Sequence, residues 1–184
     1  MRWIGIAAGL IGAVVGSSIV KHTMKGGASP DDLKPYTAAG LSLQFPAPPE
    51  KFEVTLPANV RALVSSTENY QYKTRNFEAA ISRVAYVSTV QANPEGALEG
   101  ALSNVATSQS MERVSKEAKP VTLSDIQGLR FTAVFRKSGQ NVEAQGIVLA
   151  DGPALWQLFV VYLKDNAASR ETATKMVDSV RIAP

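Results

Sequence analysis

The chain has 184 residues, 45% of them hydrophobic and 19% charged, a composition that fits one globular domain with an appendage and excludes a disordered chain. It contains no cysteine, so disulfides, thiolate metal sites, thiol nucleophiles and a lipidated cysteine are all ruled out together. Three of the 19 basic residues, Arg2, Lys21 and Lys25, lie beside the N-terminal apolar run, leaving 16 against 16 acids from residue 26 onward; the formal +3 therefore belongs to that run, and the body lacks the clustered basic surface that a nucleic acid requires.

Trp3–Val20 is 18 residues without a charge. As a helix it measures about 27 Å, just enough for a hydrocarbon core of about 30 Å. Arg2 and Lys21 bracket it and Trp3 stands where an interfacial aromatic belongs. Residues 1–24 thus read as a transmembrane anchor. The alternative is a signal peptide cleaved after Val14-Val15-Gly16 or Gly26-Gly27-Ala28, although the run is long for one and charged residues precede the second site. Basic residues flank both ends, so charge alone does not set the orientation. The expectation is a single-pass protein of a bacterial inner membrane with its body in the periplasm, or else a secreted or periplasmic soluble protein. Gly5, Gly9, Gly12 and Gly16 form one stripe down the helix, a surface on which two membrane helices approach closely and self-associate.

Residues 25–40, "KGGASPDDLKPYTAAG", read as a flexible linker, and 41–184 as the globular domain. Leu41, Leu43 and Phe45 alternate with polar residues as a strand that "PAPPE" ends. "KFEVTL", Val60–Ser66, Tyr70–Thr74 and Phe77–Val87 follow as further strands. Asn93-Pro94-Glu95 starts a helix, with a capping residue, a proline at the first position and an acid in the first turn. Its apolar stripe is Ala97, Leu98, Ala101, Leu102 and Val105, running to about Ser110. After Pro120 come "VTL", "LRFTAVFRK", "VEAQGIVLA" and "ALWQLFVVYL", joined by turns at Ser138-Gly139 and Asp151-Gly152, so three successive antiparallel neighbours are expected over 127–164. A helix over 167–179 presents Ala173, Met176, Val177 and Val180, and "VRI" closes the chain as a short edge strand. Strands, helix, strands, helix is the order of an α+β fold, a mainly antiparallel sheet flanked by helices.

That order, with Leu43-Gln44-Phe45-Pro46-Ala47-Pro48-Pro49 at its start, Leu155–Val161 near its end and Met176-Val177-Asp178-Ser179-Val180-Arg181-Ile182 closing it, resembles the PsbP-like superfamily, which includes DcrB-type bacterial envelope proteins, over residues 38–183. The resemblance implies an α/β/α sandwich, here preceded by one transmembrane helix, and an accessory, assembly or binding role without catalysis. It departs in lacking a lipidated cysteine and in having Val180 where an aromatic is common. It carries no catalytic set onto this chain.

The residues themselves agree in offering little chemistry. His22 is the only histidine and lies beside the apolar run, so no Ser-His-Asp triad or histidine metal centre belongs to the body. Ser18-Ile19-Val20-Lys21 matches Ser-x-x-Lys by chance, without its partner motifs. No phosphate-binding glycine loop is present. Glu78, Glu143 and Asp151 are the acids available for a carboxylate pair, each expected to be solvated. Trp156 and Tyr70, Tyr72, Tyr86 and Tyr162 are expected in the core or on sheet faces. The expectation is a non-enzymatic envelope protein with no catalytic residues, metal or cofactor, held to the membrane by its N-terminal helix and binding a protein partner, with no nucleic acid; the alternative is an exported soluble domain that binds a small ligand or lipid.

Overall fold

The computed structural model describes residues 28–183. The expected anchor and its glycine stripe, Gly5, Gly9, Gly12 and Gly16, lie outside them. Within the described residues ten strands form two antiparallel sheets. The small sheet has the order β1-β2-β10, from Lys34–Ala38, Leu41–Phe45 and Arg181–Ile182. The large one has seven strands in the order β3-β4-β5-β9-β8-β7-β6, where β3 is Glu50–Lys51, β4 Val64–Lys73, β5 Phe77–Tyr86, β6 Glu112–Leu123, β7 Ile126–Lys137, β8 Gln140–Asp151 and β9 Ala154–Leu163. Helix α1, Ala58–Arg61, precedes β4; α2 is Pro94–Gln109 and α3 is Ala167–Asp178.

The large sheet is buried on both faces. Its central strands are accordingly apolar at odd and even positions alike, as in β9, where Gln157 is the one amide among apolar and aromatic residues. One face carries Ala80, Val84, Phe131, Phe135, Val148 and Phe159 against Leu98, Leu102 and Val105 of α2, with Val54, Leu56 and Leu63 adding cover. The other carries Phe77, Ile81, Leu149, Leu158 and Tyr162 against Met176 and Val177 of α3 and Leu41, Leu43 and Phe45 of the small sheet. Each of these large side chains contributes roughly 1.5–3 kcal/mol when fully buried. The result is the α/β/α sandwich with the small sheet joining α3 in the outer layer.

Local chemistry sets the helix ends as the sequence predicts. Asn93 Oδ1 accepts from Gly96 N at 3.1 Å and Pro94 opens α2, which ends where Ser110 turns left-handed at φ 51°. Asn166 Oδ1 accepts from Ser169 N at 3.0 Å to cap α3. Glycine is required inside β8: a Cβ on Gly146 would stand 1.8 Å from the Leu158 carbonyl oxygen, so β9 packs directly over bare backbone.

Three expectations change. Residues 28–40 are part of the folded body, not a linker: Ala28, Ala38 and Ala39 are buried, Pro30–Asp32 form a 3-10 turn that packs on α3, and all of β1 pairs with β2. The apolar residues Leu33 and Tyr36, spaced among Gly, Pro and Asp, are enough to seat the segment on the core. Of "KFEVTL" only Lys51 joins the Glu50–Lys51 ladder, because after Phe52 the chain leaves β4 to cover the α2-side core; Pro57 then precedes α1, which takes up Val60 and Arg61 where a strand was expected to begin. Strand β6 starts at Glu112, well before "VTL", and passes through Pro120. Proline is tolerated there because β6 is an edge strand whose outer side pairs with nothing in the sheet.

Candidate functional site

The three acids singled out in the sequence do not converge. Glu78 lies on the α2 face of β5, opposite Val161 of β9, and Glu143 lies on the α3 face of β8, opposite Tyr162. Asp151 is exposed at the β8–β9 turn. The sheet separates the first two, so no reacting group can sit between them as a carboxylate pair requires. Among the described residues no group of three or more His, Asp or Glu side chains is placed to hold a metal ion.

The expectation of solvated acids fails at Glu78, which is 1% exposed. Its carboxylate meets Lys73 Nζ at 2.8 Å across the β4–β5 pair and finds no hydrogen-bond donor beyond that contact among the described residues. Burial pushes its pKa up to about 7, against the opposing pull of Lys73. Two strand pairs along the same face, Ser82 Oγ donates to Asn69 Oδ1 at 2.8 Å, and Gln157 opposite Ser82 is buried with its amide unpaired among the described residues. The signal for this row was present in "NFEAAISRVAYV": with Phe77, Ala79 and Ile81 on one face, Glu78 must share the other with Ala80, Ser82 and Val84.

The opposite face carries a linked set of polar groups, beside Trp156 Nε1 and Arg83 Nε, which are buried without a hydrogen bond among the described residues. The fully buried Tyr162 hydroxyl donates to Glu143 Oε1 and accepts from Gln145 Nε2 at 2.8 Å. Gln145 also reaches Thr174 Oγ1 of α3 at 3.4 Å, and Arg170 Nε lies 3.9 Å from Glu143. Burial first, and the adjacent Glu143 second, hold the Tyr162 hydroxyl well above its ordinary pKa. Phe45, Tyr72, Phe77 and Tyr162 run edge-to-face and then stacked across this layer, with neighbouring centroids 6.2–6.5 Å apart. Trp156, 8% exposed, lies under Arg83 with Cζ 5.5 Å from the ring centroid. Trp156 and the four tyrosines are thus where the sequence places them, in the core and against the sheet.

A depression of about 510 Å³ opens where β8 begins and β9 ends, lined by Gln140, Asn141, Leu163, Asp165, Asn166 and Ala167. Asn166 is occupied in capping α3 and the Asn141 carbonyl accepts from Lys164 N at 3.0 Å. Its lining mixes polar side chains with Leu163 and Ala167, and the Asn166 side chain is taken up by the helix cap. No helix among the described residues is long and apolar enough to cross a membrane.

No protein-family model matches the sequence, and no curated protein matches it. Among solved structures, the cyanobacterial PsbP of Synechocystis sp. PCC 6803, CyanoP, is similar with a TM-score of 0.50 at 12% identity, over 88% of this chain and 97% of that one. LpqN of Mycobacterium tuberculosis, described as involved in cell envelope biogenesis, gives 0.43 at 15% identity over 89% and 88%. A protein from Bacteroides thetaiotaomicron VPI-5482 gives 0.42 at 11% identity over 83% of this chain and 49% of its own, so the chain spans about half of that protein. With the strand order and the two covered faces described above, the similarity to CyanoP shows that this chain has a PsbP-like fold.

Proposed function

We propose that the chain is a membrane-anchored, non-enzymatic envelope protein whose body is a binding or assembly accessory module for another protein. The observation that carries this reading is the uncharged run Trp3–Val20, bracketed by Arg2 and Lys21 and joined to a PsbP-like body. The body supports it through what two of its acids do: the buried Glu78 is held by Lys73 and the part-buried Glu143 by Tyr162. CyanoP is a cyanobacterial PsbP and LpqN is described as involved in cell envelope biogenesis; the accessory and envelope character proposed here is of that kind. Within this reading the body faces the periplasm, and the stripe Gly5, Gly9, Gly12 and Gly16 is the surface for self-association in the membrane.

The test is the intact mass of the natively expressed chain in separated membrane and soluble fractions, with protease added to spheroplasts. A full-length chain in the membrane whose body is digested from outside is the expected result. A chain beginning near Ser17 or Ser29 in the soluble fraction would replace the anchored reading with the exported, ligand-binding one. A full-length membrane chain with a protected body would put the domain in the cytoplasm.

A further inference from the structure

The geometry points to one end of the large sheet as a surface that faces an anionic membrane, an inference that rests on the anchored reading above. The strand registers define two ends. At one lie the β4–β5 turn, the β7–β8 turn and the end of β9; at the other lie the β6–β7 and β8–β9 turns and the Val87–Asn93 link. The chain enters the body at the first. Lys34 at the start of β1 pairs with Phe45, whose ring meets Tyr72, and Tyr72 pairs with Ala79 two residues into β5. Asp32 is close enough to the Tyr72 hydroxyl to raise its pKa, after burial, and Ala28 is buried in the same cluster as α3.

Chain length then sets how far the tethered end can stand from the bilayer. The apolar run ends at Val20 and the body is seated from Ala28. Eight residues fully extended reach at most about 29 Å at 3.6 Å each. Strands β5 and β9 have 10 residues and β7 and β8 have 12, so the sheet is about 33–40 Å from end to end at 3.3 Å per residue. An upright body keeps its far turns about 33–40 Å beyond the tethered end, whereas a body lying flat would bring both ends to the bilayer, and the charges at the turns separate the two arrangements.

The charges at the turns follow the same polarity. The near-end hairpins carry Arg75, and Arg136 with Lys137; the far-end hairpins carry Asp125 and Asp151. Asp31, Asp32, Glu112 and Asp165 also belong to the near end, so attraction comes from the two basic tips rather than from a uniform basic face. Basic groups within a Debye length of anionic headgroups are drawn to them, and acids at the far turns are repelled. The body therefore stands on its near end with the far turns furthest from the bilayer.

The absence of cysteine makes the test direct. Full-length chain is placed in nanodiscs containing phosphatidylglycerol and a headgroup spin label, with a single fluorophore on Gln140→Cys at the near end or Thr89→Cys in the far-end link. Quenching several-fold stronger at 140 than at 89, reduced by high salt and by Arg75→Glu with Lys137→Glu, is the expected result. Equal quenching at the two positions, or stronger quenching at 89, overturns the orientation. Strong quenching at 140 that ignores both salt and charge reversal overturns the electrostatic part. A chain recovered free of the discs refutes the anchor itself, which separates that failure from a wrong orientation.

Discussion

The two faces of the seven-stranded sheet solve the same problem differently. Both bury large apolar side chains completely, yet both also bury polar groups. On the α3 face the buried Tyr162 and Gln145 are linked with the part-buried Glu143 and Thr174 by hydrogen bonds that join β9, β8 and α3. On the α2 face Ser82 and Asn69 bond one another, but Glu78 holds only Lys73 and the Gln157 side-chain amide has no hydrogen bond among the described residues. A buried charge with one partner is weak evidence for stability, because desolvation offsets much of the attraction. The α3 face is therefore the one whose polar groups fix its packing, and the α2 face is held by apolar contact in spite of them.

The largest expected effect tests that dependence on apolar contact. Leu102, fully buried in α2, faces the sheet without any polar partner in its cluster. Leu102→Asp buries a charge there, and the body should lose more than about 4 kcal/mol, enough to unfold a domain of ordinary stability. A soluble variant with a cooperative thermal transition near that of the wild type would show that α2 is dispensable to the core.

Next comes the pH dependence of the α2 face. The folded Glu78 carboxyl keeps its proton to about pH 7, whereas in the unfolded chain it ionises near 4.5. Between these values the folded state binds more protons, so stability from this group is full below about pH 4.5, falls as pH rises and is lost above about 7. The displacement corresponds to at most about 3 kcal/mol. Glu78→Gln removes the titration while keeping the shape. Chemical denaturation at pH 5 and pH 8 should show the variant gaining on the wild type between the two, and a constant difference would mean that Lys73 holds Glu78 ionised throughout.

Much of this fold could be read from periodicity, and the exceptions share a cause. Segments whose apolar pattern meets one face or one stripe, such as α2, β8, β9 and α3, lie within a few residues of their expected bounds. Residues 28–40 follow no sustained period and Phe52, Val54 and Leu56 alternate without forming a ladder, because each segment is seated by a few apolar contacts made with distant parts of the chain, which sequence spacing does not carry. The extent of β6 was hidden for a related reason. Its exposed, charged residues have no buried face to impose alternation, and only pairing with β7 makes them a strand. The acids show the limit most plainly. Alternation in β5 fixes the face Glu78 occupies, but its burial depends on what covers that face, and Glu143 differs from a solvated acid only because Tyr162 stands opposite it on another strand.

A third variant tests the linked network against the bare one. Tyr162→Phe removes the hydroxyl that donates to Glu143 and accepts from Gln145 while leaving the aromatic stack on Phe77 in place. The buried Gln145 and the part-buried Glu143 each then lose a bond, and a loss of about 1–3 kcal/mol is expected. Since Glu143 keeps Arg170 at 3.9 Å, the value belongs toward the lower end; a change below about 0.5 kcal/mol would show that the network adds nothing to packing.

The smallest effect is at the rim of the α2 face, where Glu99 joins α2 to the edge strand. Its carboxylate takes a hydrogen bond from Lys116 and another from Arg113 at 2.9 Å, and these, the Lys116 bond foremost, hold its pKa below the usual carboxylate value. All three side chains are more than a third exposed, so solvent screens the attraction, and Glu99→Gln should cost less than about 1 kcal/mol and less still in high salt. Because a lowered folded pKa gives stability that is present above the unfolded value and lost on acidification, the difference should shrink below about pH 4.5, opposite in direction to the Glu78 effect. Denaturation of both variants across the same pH range therefore sets the rim of this face against its interior. If Glu99→Gln were to cost as much as Tyr162→Phe, α2 would be fastened to the sheet by its charged edge as well as by Leu98, Leu102 and Val105, and the contrast between a bonded face and an apolar one would no longer hold.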